Sequence, residues 1–134
     1  MPYKTTWEAN GIVWRFYGDV TAEEIEAAND EFYRDERSDI STYQIIDVLE
    51  VNDVEWTDMD IKEMAAQDKG ASLLLNRIYV AYISNKEAVT HVLEKYIEIS
   101  QMLNSSWKFK GFTDMESARD WLKKAGTDTS SQKS

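Results

Sequence analysis

The sequence predicts an α/β fold, in which an N-terminal β-hairpin leads into four strand–helix units around a mostly parallel five-stranded sheet. Short runs of β-branched and aromatic residues alternate along the 134 residues with segments whose apolar residues recur at helical spacing. The dipeptide Asn10-Gly11, a strong hairpin signal, separates the first two runs. The run over residues 43–51 is almost continuously apolar, which is typical of a strand buried on both faces of a parallel sheet.

The hairpin and the first helix are predicted from the first forty residues. A strand over residues 3–8 turns at Asn10-Gly11, and the return strand occupies residues 12–17. Thr21, followed three residues later by Glu24, forms a capping-box pattern, so the first helix is expected to begin there and to end near residue 36.

The central strand and the second helix follow. After the strand, residues 52–56 are predicted to form a loop, and Thr57 is placed as the N-cap of a helix that continues to Lys69. Gly70 is positioned to end this helix, because glycine readily adopts the left-handed conformation found after many helices.

The second half of the chain repeats the strand–helix pattern twice. Residues 77–83 predict a strand, and Ser84 or Asn85 is expected to cap a long third helix that ends near residue 103. Residues 107–112 predict the last strand. The fourth helix is expected to start at a second capping box, formed by Thr113 and Glu116, and to stop at Gly126. Its apolar face consists of Met115, Ala118, Trp121 and Leu122.

The length suits one domain, which is predicted to span residues 1–126, with residues 127–134 as a disordered polar tail. With no cysteine in the chain, disulfides, thiolate metal sites and a cysteine nucleophile are excluded. No apolar stretch reaches the roughly 20 residues that a membrane span needs, and no signal sequence is evident. The expected location is therefore the cytoplasm.

The charge is unevenly distributed and argues against nucleic-acid binding. The net charge is −10, and residues 19–68 carry 17 acidic residues against three basic ones. Such a surface repels phosphate backbones and anionic membranes. Two interpretations of this charge are open: the acidic surface is only solvated, or it attracts a basic partner.

Six local motifs occur in the order of the predicted elements: Phe16-Tyr17-Gly18-Asp19-Val20-Thr21, Ile45-Ile46-Asp47-Val48, Val54-Glu55-Trp56-Thr57, Arg77-Ile78-Tyr79-Val80-Ala81, Trp107-Lys108-Phe109-Lys110-Gly111-Phe112 and Ala118-Arg119-Asp120-Trp121-Leu122. These motifs and the order of the elements resemble the SpoIIAA-like family, whose fold is that of the STAS domains of anti-sigma-factor antagonists. The resemblance covers about residues 5–124. The resemblance implies a regulatory, protein-binding module rather than an enzyme.

The phosphorylation signature of that family is absent. Phosphorylatable antagonists carry Asp-Ser-Ser-Gly at the junction of the third strand and the second helix, where this chain reads Glu55-Trp56-Thr57-Asp58-Met59-Asp60. Thr57 is the only hydroxyl residue of this segment and the only candidate phosphosite. Because Asp58 and Asp60 would repel a phosphate, an ordinary N-cap role is favoured for Thr57.

No catalytic, metal-binding or cofactor-binding constellation is evident. His91 is the only histidine and has no recognisable catalytic partners. Asp47 lies inside an apolar strand, where it is either a carboxylate of raised pKa in a cleft or, as favoured, a hydrogen-bonded structural residue. The acidic run of Asp53, Glu55, Asp58 and Asp60 lacks the glycine of a calcium-binding loop.

Two binding hypotheses remain open. In the first, Trp56, Thr57, Asp58 and Asp60 form a surface for an unknown protein partner, since ligands gather at the carboxyl ends of parallel strands. In the second, the aromatic residues line a pocket for a small apolar ligand or lipid, with Trp56 as part of its wall. The wide apolar stripe of the third helix belongs to the core or to a ligand or homodimer surface.

Overall fold

The computed structural model describes residues 3–75, 78–103 and 105–127, and within them it shows one five-stranded sheet and four α-helices. The elements are β1 (Tyr3–Trp7), β2 (Gly11–Thr21), α1 (Ala22–Arg34), a 3₁₀-helix (Glu36–Ile40), β3 (Tyr43–Glu55), α2 (Asp58–Ser72), β4 (Tyr79–Ile83), α3 (Glu87–Met102), β5 (Lys108–Phe112) and α4 (Met115–Lys124).

The strands lie side by side in chain order. β1 is antiparallel to β2, and the other three pairings are parallel. The predicted α/β class, with a mostly parallel five-stranded sheet, is therefore confirmed. Parallel crossovers are right-handed, and three successive crossovers in the same direction place α1, α2 and α3 on one face of the sheet.

The sheet separates two apolar cores. The larger core lies between helices α1, α2 and α3 and one face of the sheet. Strands β2, β3 and β4 contribute Trp14, Val48 and Val80 to this face. The smaller core packs the opposite face against α4, through Ala118 and Leu122. The alternation of side chains along each strand thus gives every central strand two buried faces, as the apolar run over residues 43–51 predicted.

The hairpin turn lies one residue earlier than predicted. The Glu8 N–H donates to the Gly11 carbonyl at 2.8 Å, so Ala9 and Asn10 are the central residues of the turn. Gly11 is the first residue of β2 and does not have positive φ. Glycine is needed here because the ring of Tyr43 packs close to the backbone: a Cβ at this position would lie 2.5 Å from that ring.

The loop predicted over residues 52–56 is mostly strand. β3 continues to Glu55 because β2 is also long and pairs with it as far as Thr21, through two register shifts. In this ladder Asp53 pairs with Asp19, which holds it in a conformation that aspartate disfavours, and Asn52 lies at one of the register shifts. Only Trp56 and Thr57 separate β3 from α2.

The predicted end of α2 and the predicted start of α3 are wrong. Helix α2 continues through Gly70 to Ser72, since Gly70 remains helical inside a packed helix. The N-cap of α3 is Lys86, which makes no side-chain capping bond, instead of Ser84 or Asn85. The Ser84 hydroxyl is instead paired with the Thr90 hydroxyl.

The start of α4 also differs from the prediction, whereas its end agrees. Asp114, not Thr113, is the N-cap, and its carboxylate accepts from the Ser117 N–H at 2.7 Å. Gly126 has φ +95°, the left-handed conformation expected after a helix. Thr127, predicted to begin the tail, is buried and donates its N–H to the Leu122 carbonyl. Residues 128–134 lie outside the described residues.

Candidate functional site

A cavity of about 40 Å³ lies between the sheet and helices α1, α2 and α3. It is enclosed mainly by apolar side chains of the larger core. Its lining comprises Trp14, Phe16, Val20, Ile25, Ala28, Asn29, Gln44, Ile46, Val48, Val54, Trp56, Met64, Asp68, Tyr82, Val89, Leu93 and Tyr96. A water-sized group needs roughly 10–15 Å³ of such space, so the cavity accommodates a few non-hydrogen atoms without rearrangement.

Among the described residues of the lining, three side chains carry a buried nitrogen without a hydrogen-bond partner. They are the indole nitrogens of Trp14 and Trp56 and the amide nitrogen of Gln44. Trp14 is 1% exposed and Gln44 is 2% exposed. Each buried donor without a partner costs about 1–3 kcal/mol. Three such donors in the lining of one cavity are unusual for a core that serves packing alone.

A buried carboxyl group lies in the same wall. Asp68 of α2 accepts a hydrogen bond from the Tyr33 hydroxyl at 3.1 Å. Burial raises the pKa of Asp68 to about 7, while the Tyr33 bond acts in the opposite direction. Burial, and then the charge of Asp68, also raises the pKa of the neighbouring Tyr82. The carboxyl group is therefore largely neutral below pH 7.

The described residues of the cavity wall include no cationic side chain. None of those that line it is Lys, Arg or His. An ionised ligand would lose its hydration here without gaining a counter-ion, and that loss costs several kcal/mol. The site can therefore accept neutral, mostly apolar groups that bring a hydrogen-bond acceptor.

The junction of β3 and α2 forms one rim of this core. Thr57 caps α2: its hydroxyl accepts from the Asp60 N–H at 3.0 Å, and the Asp60 carboxylate accepts from the Thr57 N–H at 2.9 Å. This reciprocal capping box holds the first turn of α2 in place. Asp58 is exposed and pairs with Lys95 of α3 at 2.6 Å, which lowers the pKa of Asp58.

The four residues singled out from the sequence are contiguous but have different environments. Thr57 and Asp58 are exposed, and Asp60 is half-buried. Trp56 is half-buried and packs against the larger core, so its ring belongs to the cavity wall while its backbone belongs to the rim. Next to them, Met59 is 62% exposed; other large apolar side chains, such as Leu74 and Met102, are exposed as well.

Sequence reasoning did not identify Trp14, Gln44 and Asp68 as site residues. A signal for two of them was available. Gln44 is a polar residue within an apolar strand, and Asp68 continues the apolar face of α2 that Ile61, Met64 and Ala65 begin. Their juxtaposition depends on the pairing of β2 with β3 and on the packing of α2, neither of which local patterns specify.

Two other candidates have structural roles. Asp47 is buried, forms an ion pair with Arg15 at 3.2 Å, and accepts from the Leu49 N–H at 3.0 Å, so the structural interpretation of this carboxylate agrees with its contacts. His91 is exposed on α3, beside an open groove. Among the described residues, no group of His, Asp and Glu is arranged to hold a metal ion, and no helix is long and apolar enough to cross a membrane.

Comparison with known proteins identifies the fold. No protein-family model matches the chain, and no curated protein sequence matches it. Eight solved chains are similar, including the following two. One is an uncharacterised protein of the DUF3478 family from Shewanella loihica PV-4, described as having a SpoIIAA-like fold, with TM-score 0.55 and 18% identity over 90% of this chain and 91% of that one.

The second similar structure is the anti-sigma factor antagonist SpoIIAA in its unphosphorylated form. Its TM-score is 0.56 and its identity 12%, over 91% of this chain and 96% of SpoIIAA. The protein therefore has a SpoIIAA-like fold, as the order of its elements predicted.

Proposed function

We propose that this protein is a non-enzymatic regulatory module that binds another protein through the rim where β3 meets α2. The observation that carries the proposal is the exposure of Met59, 62%, beside the exposed Asp58 at that rim. Protein contact surfaces combine apolar side chains with a polar and charged rim, and Met59 and Asp58 supply both. The SpoIIAA-like fold supports the proposal, because one protein that shares it is an anti-sigma factor antagonist.

The charge of the rim favours a basic partner. The segment 19–68, which includes α1, β3 and most of α2, has a large excess of acidic residues. Complementary charge would steer such a partner toward the rim and raise the association rate. Binding is then expected to weaken as the salt concentration rises.

Thr57 is proposed to have no phosphoswitch role. Its hydroxyl is engaged in the capping box, and Asp58 and Asp60 lie next to it. Although a phosphate would gain from the helix dipole, two adjacent carboxylates would oppose it. Partner binding through this rim would therefore be controlled by something other than phosphorylation.

Affinity capture from lysate of the source organism, followed by crosslinking mass spectrometry, tests the protein-binding proposal. The Asp58→Lys and Met59→Ala variants are expected to reduce capture of the same partner at least fivefold. Asp120→Lys, on exposed α4, makes the same charge change on the opposite face of the sheet and serves as the matched control. Equal capture by all four proteins would refute this placement of the interface.

The cavity favours a second candidate function, the binding of a small apolar ligand. The three unpartnered nitrogens of its lining are the specific observation in support. Native mass spectrometry of freshly purified protein would show a bound molecule as a mass increment. A mass that always equals that of the chain, together with no binding of added apolar compounds, would count against this function.

A further inference from the structure

We infer that the cavity between the sheet and helices α1, α2 and α3 selects small neutral molecules that carry an acceptor oxygen, such as ketones, esters or aldehydes, over hydrocarbons and carboxylates. This inference rests on the second proposed function, ligand binding, and adds the chemical class of the ligand.

The preference for an acceptor follows from the unpartnered donors. Trp14 and Gln44 belong to neighbouring strands, β2 and β3, and Trp56 follows the end of β3. All three line the same cavity, and each has a side-chain nitrogen without a partner. A ligand oxygen that accepts from one of them restores a hydrogen bond, which is worth a three- to tenfold gain in affinity over a hydrocarbon of the same shape.

The exclusion of anions follows from the rest of the wall. Among the residues that the structure describes, the lining includes Asp68 and has no Lys, Arg or His, so a carboxylate would meet another carboxyl group there and no described cation. A neutral ketone pays a much smaller desolvation cost. The cavity would therefore reject a fatty acid in its ionised form and accept a neutral compound of equal size.

The size of the cavity limits the ligand, and Trp56 provides a way to enlarge the space. About 40 Å³ holds only a small group, whereas sites for larger molecules measure roughly 300–1,000 Å³. Trp56 is only half-buried and lies in the two-residue connection between β3 and α2. Movement of its ring would open the cavity at the rim that carries Met59.

A titration followed by ¹H–¹⁵N spectra of the tryptophan indole groups tests the inference on the intact protein. The probes are cyclohexanone, cyclohexane and cyclohexanecarboxylate, which share a six-membered ring and differ in the acceptor and the charge. Each needs more space than about 40 Å³, so each enters only when the Trp56 ring moves. Cyclohexanone is expected to shift the indole signals of Trp14 and Trp56, and to leave the signal of Trp121 in place. Trp121 packs on the opposite face of the sheet, against Tyr79 and Phe112, and is the internal control.

Two variants make the test specific for the donors. Gln44→Met and Trp56→Phe each remove one unpartnered donor and keep an apolar side chain, so each is expected to lower cyclohexanone affinity relative to cyclohexane affinity three- to tenfold. Gln67→Met, at an exposed position of α2, is the control and should change neither affinity. Gln44→Met relieves a buried polar group and is expected to fold at least as stably as the wild type. Trp56→Phe also loses ring packing, so its folding is checked by urea denaturation.

The outcomes separate the two levels of the proposal. If cyclohexane or the carboxylate binds as tightly as cyclohexanone, the inferred ligand class is wrong while ligand binding stands. If none of the three probes shifts the Trp14 and Trp56 signals up to millimolar concentration, both the ligand class and the ligand-binding function are wrong.

Discussion

Asp68 shows how a single buried residue can make the stability of the whole protein depend on pH. Its pKa is raised by burial to about 7, whereas a carboxyl group of an unfolded chain titrates near pH 3.9. Between these values the native state holds a proton that the unfolded chain has released. The free energy of unfolding must then fall as the pH rises through this range.

The pH dependence assigned to Asp68 can be isolated with Asp68→Asn. Between pH 4 and pH 7, the free energy of unfolding of the wild type is expected to fall relative to that of the variant, by at most about 1.4 kcal/mol per pH unit. Above pH 7 the difference between the two proteins should be constant. Urea unfolding at several pH values measures it. Glu63→Gln, an exposed change on the same helix, controls for the loss of one acidic group; a difference curve without slope for Asp68→Asn would contradict the assignment.

Helix α2 extends further than the sequence predicted. Gly70 was expected to end it, yet the residue is helical, is exposed, and has free space where a Cβ would lie. Alanine in an exposed helix interior is more stable than glycine by about 1 kcal/mol, because glycine loses more backbone entropy on folding.

Gly70→Ala is therefore expected to raise the free energy of unfolding by about 1 kcal/mol. The matched control is Gly126→Ala, where φ +95° disfavours any residue with a Cβ and the stability should fall instead. Thermal and urea unfolding of both variants measure the two effects. A loss of stability in Gly70→Ala would show that α2 ends at this glycine after all.

Local signals predicted the elements, and long-range pairing decided where several of them end. The capping box of Thr21 and Glu24 and the left-handed Gly126 depend on neighbouring residues, so the sequence reveals them. The extension of β3 to Glu55 depends on hydrogen bonds to β2, more than thirty residues away. The same reason explains the candidate site: Trp56 was predictable as a residue at a strand end, whereas its proximity to Trp14 was not.

At the scale of the whole molecule, one buried ion pair joins the two ends of the described chain. Arg119 of α4 donates to both carboxylate oxygens of Glu8, at 3.1 and 2.7 Å. Glu8 is 9% exposed and also accepts from the Tyr43 hydroxyl of β3. These contacts attach α4 to the hairpin turn and to the central strand at once.

Removal of Arg119 is expected to weaken the whole fold. Arg119→Ala leaves the Glu8 carboxylate buried without its cation, and since the arginine is 27% exposed we expect a loss of about 2 kcal/mol, below the range for fully buried pairs. Urea denaturation measures it. The double variant Glu8→Gln/Arg119→Ala removes the stranded charge and should recover part of the loss; no recovery would mean that the arginine acts mainly through packing.

Because the sheet separates the two cores, we expect each core to contribute independently to the free energy of unfolding. Substitutions at sites without shared contacts contribute additively to stability, whereas those in one packed cluster do not. Changes around Trp14 and changes around Leu122 should therefore combine without interaction, because the strands lie between them. Residues of α4 could then be substituted, or used to immobilise the protein on a surface, while the cavity on the other face of the sheet keeps its shape.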